Sequence, residues 1–216
     1  MIVLNLKTYE KSLEKALYYV DVASEVVEET GVRIIVCPPI IHLKESAERF
    51  SDIFAQHTDY MQPGAHTGSL PPEALKRIKV RGSLVNHSEK KLPLEAVKNT
   101  IERLHINSLE SIACTADLKE TKKVAEFLPT YIAIEPPELI GSGISVSTAK
   151  PEVVKESVRT IELVNDKIIP LCGAGVSTKQ DVAKALALGS RGVLLASAYV
   201  NAKDPKEFLR GLASVF

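Results

Sequence analysis

The sequence contains no tryptophan, only three cysteines and no long apolar run. A membrane-spanning helix needs roughly 18 consecutive apolar residues, so neither a membrane span nor a membrane partner is expected. The first residues lack a basic region followed by a long apolar run, so a secretory signal is not expected either. Cys37, Cys114 and Cys172 form no C-x-x-C pair. This scattered, odd-numbered set argues against disulfides and zinc ribbons, and it predicts small buried thiols in a reducing, cytoplasmic compartment.

An excess of charge of one sign is also missing, because 27 Lys and Arg residues balance 27 Asp and Glu residues. A protein that neutralises nucleic-acid phosphates is normally basic, so nucleic acid is not an expected partner. The 216 residues, 45% of them hydrophobic and 25% charged, are typical of a globular chain. A chain of this length buries about 70% of its surface on folding, which favours a single domain over residues 1–216.

Short runs rich in Val, Ile and Leu recur along the whole chain. They lack an alternating polar face, which is typical of parallel strands covered on both sides. The eight runs cover residues 2–6, 33–37, 53–56, 83–86, 111–115, 131–134, 168–172 and 192–196.

Helical periodicity or helix start and stop residues appear between these runs, at 12–29, 93–104, 151–164, 178–188 and 204–212, and Gly31 stands where a helix C-cap is expected. An open doubly wound sheet usually has five or six strands, so eight strands favour a closed (β/α)8 TIM barrel. The chain is shorter than the roughly 250 residues of a typical barrel, so we expect a compact form with some shortened helices. The polar segment 56–70 is expected to project.

Polar residues follow the predicted strands at their carboxyl ends, where the sites of such barrels lie. They are Asn5 and Lys7 after the first strand, His87, Ser88 and Glu89 after the fourth, Glu135 after the sixth, Gly173 to Gly175 after the seventh, and Ala196 and Ser197 after the eighth. Each has a plain structural interpretation when taken singly. Lys7 is then a solvated charge, His87 a structural histidine and Ser88 a helix N-cap. Their common position predicts one site.

Glu135 ends an apolar strand, so burial is expected to disfavour its ionised form and make it a better base. Its plain alternative is a salt-bridged barrel glutamate. Pro136 and Pro137 follow it, and Gly141 and Gly143 come later in the same loop. A rigid start and a permissive end predict a lid.

Gly173 and Gly175 leave the backbone of the 173–177 loop open to a ligand, beside the turn at Ala196 and Ser197. In barrels, the loops after strands seven and eight often bind phosphate. The five histidines are scattered without an H-x-x-x-H pair, so a metal site fits poorly. Neither a G-x-S-x-G elbow nor a G-x-G-x-x-G after the first strand occurs, which argues against a serine triad and a nicotinamide cofactor.

In sequence order, these segments resemble the triosephosphate isomerase family, in its short archaeal form, over the whole chain. The motifs that carry the resemblance are N-L-K-T-Y at 5–9, N-H-S-E-K at 86–90, I-E-P-P-E-L-I-G-S-G at 134–143 and C-G-A-G-V at 172–176. The resemblance implies interconversion of dihydroxyacetone phosphate and D-glyceraldehyde 3-phosphate, in glycolysis and gluconeogenesis, without metal or cofactor.

The resemblance also implies the role of each site residue. Glu135 would be the general base, and His87 a neutral electrophile kept neutral by the helix that follows it. Lys7 would supply positive charge beside Asn5, and Glu89 would be an accessory carboxylate. Amides near Gly141, Gly175, Ala196 and Ser197 would hold the phosphate.

The family also implies at least a homodimer, with a tetramer possible, in which the 56–70 loop packs into a neighbouring subunit near Asn5 and Lys7. A strained backbone at Lys7, with positive φ, is expected. Four features depart from common members of the family. Glu138 stands where many have tryptophan, the lid carries extra residues after Gly143, and Ala174-Gly175 and Ala196-Ser197 replace Gly-Ser and Gly-Gly pairs.

Two other functions remain open at this point. One is another sugar-phosphate barrel enzyme such as an epimerase, which typically needs a metal cluster or paired acids that the sequence does not offer. The other is a barrel that binds phosphate ligands without catalysis, although the presence of Lys7, His87 and Glu135 argues against it.

Overall fold

A computed structural model describes residues 1–139 and 145–216. Its eight parallel strands form one sheet in the order β2-β1-β8-β7-β6-β5-β4-β3. They are β1 (Ile2–Asn5), β2 (Ile34–Cys37), β3 (Phe54–Ala55), β4 (Gly82–Val85), β5 (Glu110–Thr115), β6 (Tyr131–Ile134), β7 (Ile169–Cys172) and β8 (Gly192–Leu195). A parallel bridge between Val36 and Ile53 brings the two ends of the sheet together. The predicted eight-stranded barrel is confirmed.

Helices lie between the strands. They are α1 (Glu10–Thr30), α2 (Leu43–Arg49), α3 (Pro72–Arg77), α4 (Leu94–Ile106), α5 (Leu118–Ala125), α6 (Val146–Ala149), α7 (Pro151–Val164), α8 (Lys179–Ala187), α9 (Ser197–Val200) and α10 (Pro205–Ala213). The five predicted helices correspond to α1, α4, α7, α8 and α10. Gly31 caps α1 as expected, with φ 70° and its N–H donating to the Val27 carbonyl. The sequence analysis missed α2, α3, α5, α6 and α9, because helices of four to eight residues show too little periodicity.

Apolar side chains form two layers around the strands. One fills the barrel interior and includes Val3, Phe54, Leu84, Ile112 and Leu171. The other packs the outer face of the strands against the helices. All three cysteines are buried and unpaired, as predicted. Within the described ranges, no helix is both long and apolar enough to cross a bilayer.

The polar 56–70 segment carries an exposed tip at residues 62–68. Its base is tied by hydrogen bonds to the last residue of the segment. The Thr58 hydroxyl donates to the Leu70 carbonyl over 2.7 Å, and the Leu70 N–H donates to Asp59 Oδ2 over 2.8 Å. The segment therefore projects from an anchored base.

Arg33 joins distant strands at the amino end of the barrel. Its guanidinium donates to both Asp52 oxygens, at 2.8 and 3.2 Å, and to Glu110 Oε1 at 2.9 Å. Asp52 immediately precedes the start of the bridge between β2 and the β3 region, whereas Glu110 opens β5. Burial raises the pKa of Glu110, but hydrogen bonds from Arg33 and Tyr131 outweigh it and lower the pKa below its ordinary value.

We expect Arg33→Met to lower the free energy of unfolding by about 3 kcal/mol, because two partly buried carboxylates lose their nearest cation. Arg81 is the next cation, 3.6 Å from Asp52 and 4.0 Å from Glu110. The loss should shrink in acid, since a carboxylate with a lowered pKa contributes stability that disappears as the pH falls through that pKa. Urea denaturation at pH 7 and in acid measures both effects. Arg49→Met is the control, because Arg49 pairs with Asp21 and Glu45 on the exposed surface, and such pairs contribute about 1 kcal/mol or less. Equal losses in the two variants would contradict this role for Arg33.

Candidate active site

The structure brings the chemical groups predicted after separate strands to one pocket. Lys7, His87 and Glu135 line it together with residues 173–177 and 194–198. Asn5 and Glu89 lie beside it, in an adjoining cleft that Lys7 and His87 also line. Gly141 lies outside the described residues. The convergence arises because every strand of the barrel ends at the same rim.

Lys7 has the strained backbone expected of it, with φ 46°. Hydrogen bonds to both its N–H and its carbonyl hold the backbone of Lys7 in place. The Lys7 N–H donates to Asn5 Oδ1 over 3.0 Å, and Gln56 Nε2 donates to the Lys7 carbonyl over 3.0 Å. The ammonium lies 2.8 Å from Glu89 Oε1. Asn5 therefore positions Lys7, and Glu89 holds its charge at the pocket.

His87 is arranged as a neutral hydrogen-bond donor. Its Nδ1 accepts the Glu89 N–H over 3.2 Å, which places the ring proton on Nε2. The interpretation of Ser88 as an N-cap is wrong, because the His87 side chain caps the 3₁₀ helix Ser88–Lys90. Burial, and then the charge of Lys7, lower the pKa of His87 to about 4. The direction agrees with the expectation, but burial contributes more than anything else.

Glu135 is a buried carboxyl group, 2% exposed. Burial raises its pKa to about 7, although a hydrogen bond from the Cys114 thiol and the charge of Lys7 act in the opposite direction. Its Oε2 has no hydrogen-bond partner among the described residues. Its Oε1 lies 3.7 Å from His87 Nε2. A weakly solvated carboxylate with a free oxygen is suited to removing a proton.

Gly173 makes room for this carboxylate. A Cβ at position 173 would lie 2.5 Å from Glu135 Cγ and 3.1 Å from Oε1. The Gly173 N–H donates to the Ile134 carbonyl over 3.0 Å, so this amide already has a partner within the sheet. Gly173 therefore contributes space beside Glu135, and Gly175, with φ 69°, forms the turn that follows.

We expect Gly173→Ala to reduce kcat by about a hundredfold through displacement of Glu135, since a shift of roughly 1 Å is enough for such a loss. Gly211→Ala is the matched control. There the new Cβ would meet only the flexible end of Lys179, and alanine is favoured over glycine inside a helix. Steady-state kinetics measures the effect, with circular dichroism to verify folding. Wild-type kcat in Gly173→Ala would contradict this account.

The residues that follow β7 and β8 also line the pocket. The N-terminus of α8 is closed by a capping box between Thr178 and Asp181. The first turn of α9 begins at Ser197, directly after the pocket residue Ala196. The first N–H groups of a helix have no partner within it, so this turn offers donors to an anion. The predicted position of these loops beside the site agrees with the structure.

Residues 140–144 of the predicted lid lie outside the described ranges. At its edges, Glu138 is exposed and pairs with Lys150. The sequence analysis predicted Cys114 only as a buried thiol, and it did not place Cys114 or Gln56 at the site. Cys114 pairs in register with Ala133 of β6, the strand that Glu135 directly follows, and its place near the end of a strand was the available signal. Over residues 1–139 and 145–216, no three His, Cys, Asp or Glu side chains gather as metal ligands.

Comparisons with known proteins agree with this geometry. A profile of the family described as triosephosphate isomerase matches residues 1–213. A triosephosphate isomerase of Methanothermus fervidus is 45% identical over 214 residues, which cover 98% of this chain and 96% of the relative. One from Methanocaldococcus jannaschii is 44% identical over 98% of both chains. One from Methanobrevibacter smithii is 44% identical over 99% of this chain and 97% of the relative. With the barrel, the pocket and this full-length similarity in agreement, the chain belongs to the triosephosphate isomerase family.

Proposed function

We propose that this protein interconverts dihydroxyacetone phosphate and D-glyceraldehyde 3-phosphate. The observation that carries the proposal is the 3.7 Å separation between Glu135 Oε1 and His87 Nε2, in a pocket that Lys7 also lines. A carboxylate and a neutral imidazole at this distance can act on the carbon and the oxygen atoms of one small hydroxyketone. This pairing is the one established for the triosephosphate isomerase family.

The proposed reaction conserves every proton. Glu135 removes a proton from C1 of dihydroxyacetone phosphate, while His87 donates its Nε2 proton to the oxygen on C2, forming an enediol. The resulting imidazolate then takes the proton from the oxygen on C1, which becomes the aldehyde oxygen, and Glu135 returns its proton to C2. Lys7 stabilises the negative charge that develops on the oxygens. Amides at Gly175, Ala196 and Ser197, with Gly141, are proposed to hold the phosphate, and Glu89 to hold Lys7.

We expect activity to fall as the pH is lowered through the pKa of Glu135, because the carboxylate becomes protonated. Its pKa of about 7 means that the base is protonated, and inactive, at lower pH. Because the pKa of His87 is about 4, the imidazole should stay neutral throughout that range. The pH profile of kcat/KM reports the pKa values of the essential groups in the free enzyme. Titration of the ¹³C-labelled Glu135 carboxyl separates it from the substrate phosphate, which ionises near pH ~6. A Glu135 titration below pH 5 would contradict this.

A coupled assay for D-glyceraldehyde 3-phosphate tests the proposal with the purified wild-type chain. Isomerisation that persists after dialysis against a chelator is expected. Loss of activity with a chelator and its return with a divalent metal would favour a metal-dependent epimerase. Tight binding of triose phosphates without turnover would favour a ligand-binding barrel.

We also infer one domain over residues 1–216, a cytoplasmic location and at least a homodimer, with a tetramer possible. In the dimer, the exposed 62–68 tip would enter the partner near Asn5 and Lys7. A cleft of about 730 Å³ lies there, lined in part by Ile40, Leu43 and Leu70. Sedimentation analysis tests this, because a stable monomer with full activity would refute it.

A further inference from the structure

Asn86, the residue before His87, is held in an uncommon backbone conformation. Its φ of 63° is in the left-handed region, and its side chain is 2% exposed. The amide makes three hydrogen bonds. Nδ2 donates to the Cys114 carbonyl and to Glu120 Oε1, each over 2.9 Å, and Oδ1 accepts the Leu92 N–H over 3.0 Å. These bonds clamp the loop that carries His87.

Glu120, on α5, receives donors from two loops at the rim. Besides Asn86, its carboxylate accepts the Lys91 ammonium and the Ala116 N–H, the latter over 2.7 Å. Lys91 ends the loop that begins at His87, and Ala116 directly follows β5. The helix does not need this carboxylate as its cap, because Asp117 accepts the Glu120 N–H over 2.8 Å. The side chain therefore serves the loops and not its own helix.

We propose that Glu120 is a positioning residue for His87, acting through the Asn86 amide and the Lys91 ammonium. The inference rests on the proposed function, in which His87 acts on the substrate oxygens. The carboxylate fixes both ends of the 86–91 loop, so that the imidazole faces Glu135 and its Nδ1 stays on the Glu89 N–H. Without Glu120, one Asn86 hydrogen and the Lys91 charge lose their partner, and the loop can leave the conformation that aims Nε2 at the substrate.

Glu120→Gln is the primary test, because it keeps the shape and volume of the side chain. A glutamine cannot satisfy all three donors, since its NH₂ group must face one of them. We expect kcat to fall by about tenfold to a hundredfold, with KM changed by less than about threefold, because the phosphate loops are untouched. Glu126→Gln, the same chemical change at an exposed position after the same helix, should leave kcat unchanged.

Asn86→Gly provides the second arm, since glycine tolerates the positive φ but lacks the amide. If Glu120 acts through Asn86, the double variant should lose clearly less kcat than the product of the two losses measured in Asn86→Gly and Glu120→Gln alone. The ¹⁵N signal of His87 Nδ1 should shift in both single variants, which reports loss of its hydrogen bond without relying on turnover. Additive losses, an unshifted Nδ1 signal or wild-type kcat in Glu120→Gln would overturn the inference. An inactive wild-type chain would instead refute the proposed function.

Discussion

Replacing Glu135 with glutamine should reduce kcat by roughly 10²- to 10⁴-fold, the usual contribution of a positioned general base. Glutamine has the shape of glutamate but cannot accept a proton at this step. The fold should persist, because burial already disfavours the charged form of Glu135, and a neutral amide therefore replaces a group that is costly to ionise. Of the expected effects of substitution, this is the largest.

Two measurements check this expectation. The coupled assay gives kcat, and exchange of the C1 proton of dihydroxyacetone phosphate with deuterium from solvent reports proton removal directly. Both should be lost together in Glu135→Gln. Glu156→Gln, the same change at an exposed position of α7, should behave as wild type. Near-normal turnover in Glu135→Gln would rule out Glu135 as the base.

His87→Gln should reduce kcat by roughly 10²- to 10³-fold, as for loss of one donor to a developing oxyanion. Glutamine can donate a hydrogen bond, but it cannot pass a proton between the two oxygens. Proton removal at C1 should slow as well, because the enediolate loses the Nε2 donor. The smaller loss than in Glu135→Gln follows from Lys7, which still stabilises the negative charge.

Kinetics of His87→Gln, with KM determined separately, checks this second expectation. His105→Gln is the control. His105 lies at the end of α4, before β5 begins, and its Nε2 is 3.1 Å from the Ser111 hydroxyl. It is therefore at the amino end of the barrel, away from the pocket, and kcat should be unchanged. A His87→Gln variant with wild-type kcat would remove the imidazole from the mechanism.

Much of the barrel could be predicted because its signals are local. A strand buried on both faces requires an unbroken apolar run, so 131–134 was recognised with its observed bounds. The long helix α1 showed apolar periodicity over several turns, and α7 was recognised from the Pro-Glu pair at its start. The two-turn helix α5 did not, and its existence depends on packing against its neighbours. Because Glu120 lies on α5, its contact with Asn86 could not be predicted either.

Some residues of the site could likewise be predicted from the sequence, and others could not. Lys7, His87 and Glu135 could be placed at one rim because strand ends in a barrel converge. The raised pKa of Glu135 followed from its place at the end of an apolar run, and the strain at Lys7 was expected because functional sites often hold strained backbone. The function of Gly173 could not be anticipated, because it depends on a side chain from the neighbouring strand lying over it. The pairing of Cys114 with Glu135 has the same origin.

The sequence by itself determined the strand count, the eight-stranded architecture, the residues that reach the rim and the chemical nature of each. Only the tertiary structure decided the His87 tautomer, the 3.7 Å approach of Nε2 to Glu135 Oε1 and the ion pairs that join Arg33 to Asp52 and Glu110. The physical reason is range. Apolar patterning acts between near neighbours in the chain, whereas hydrogen bonds, burial and pKa depend on atoms that only folding brings together.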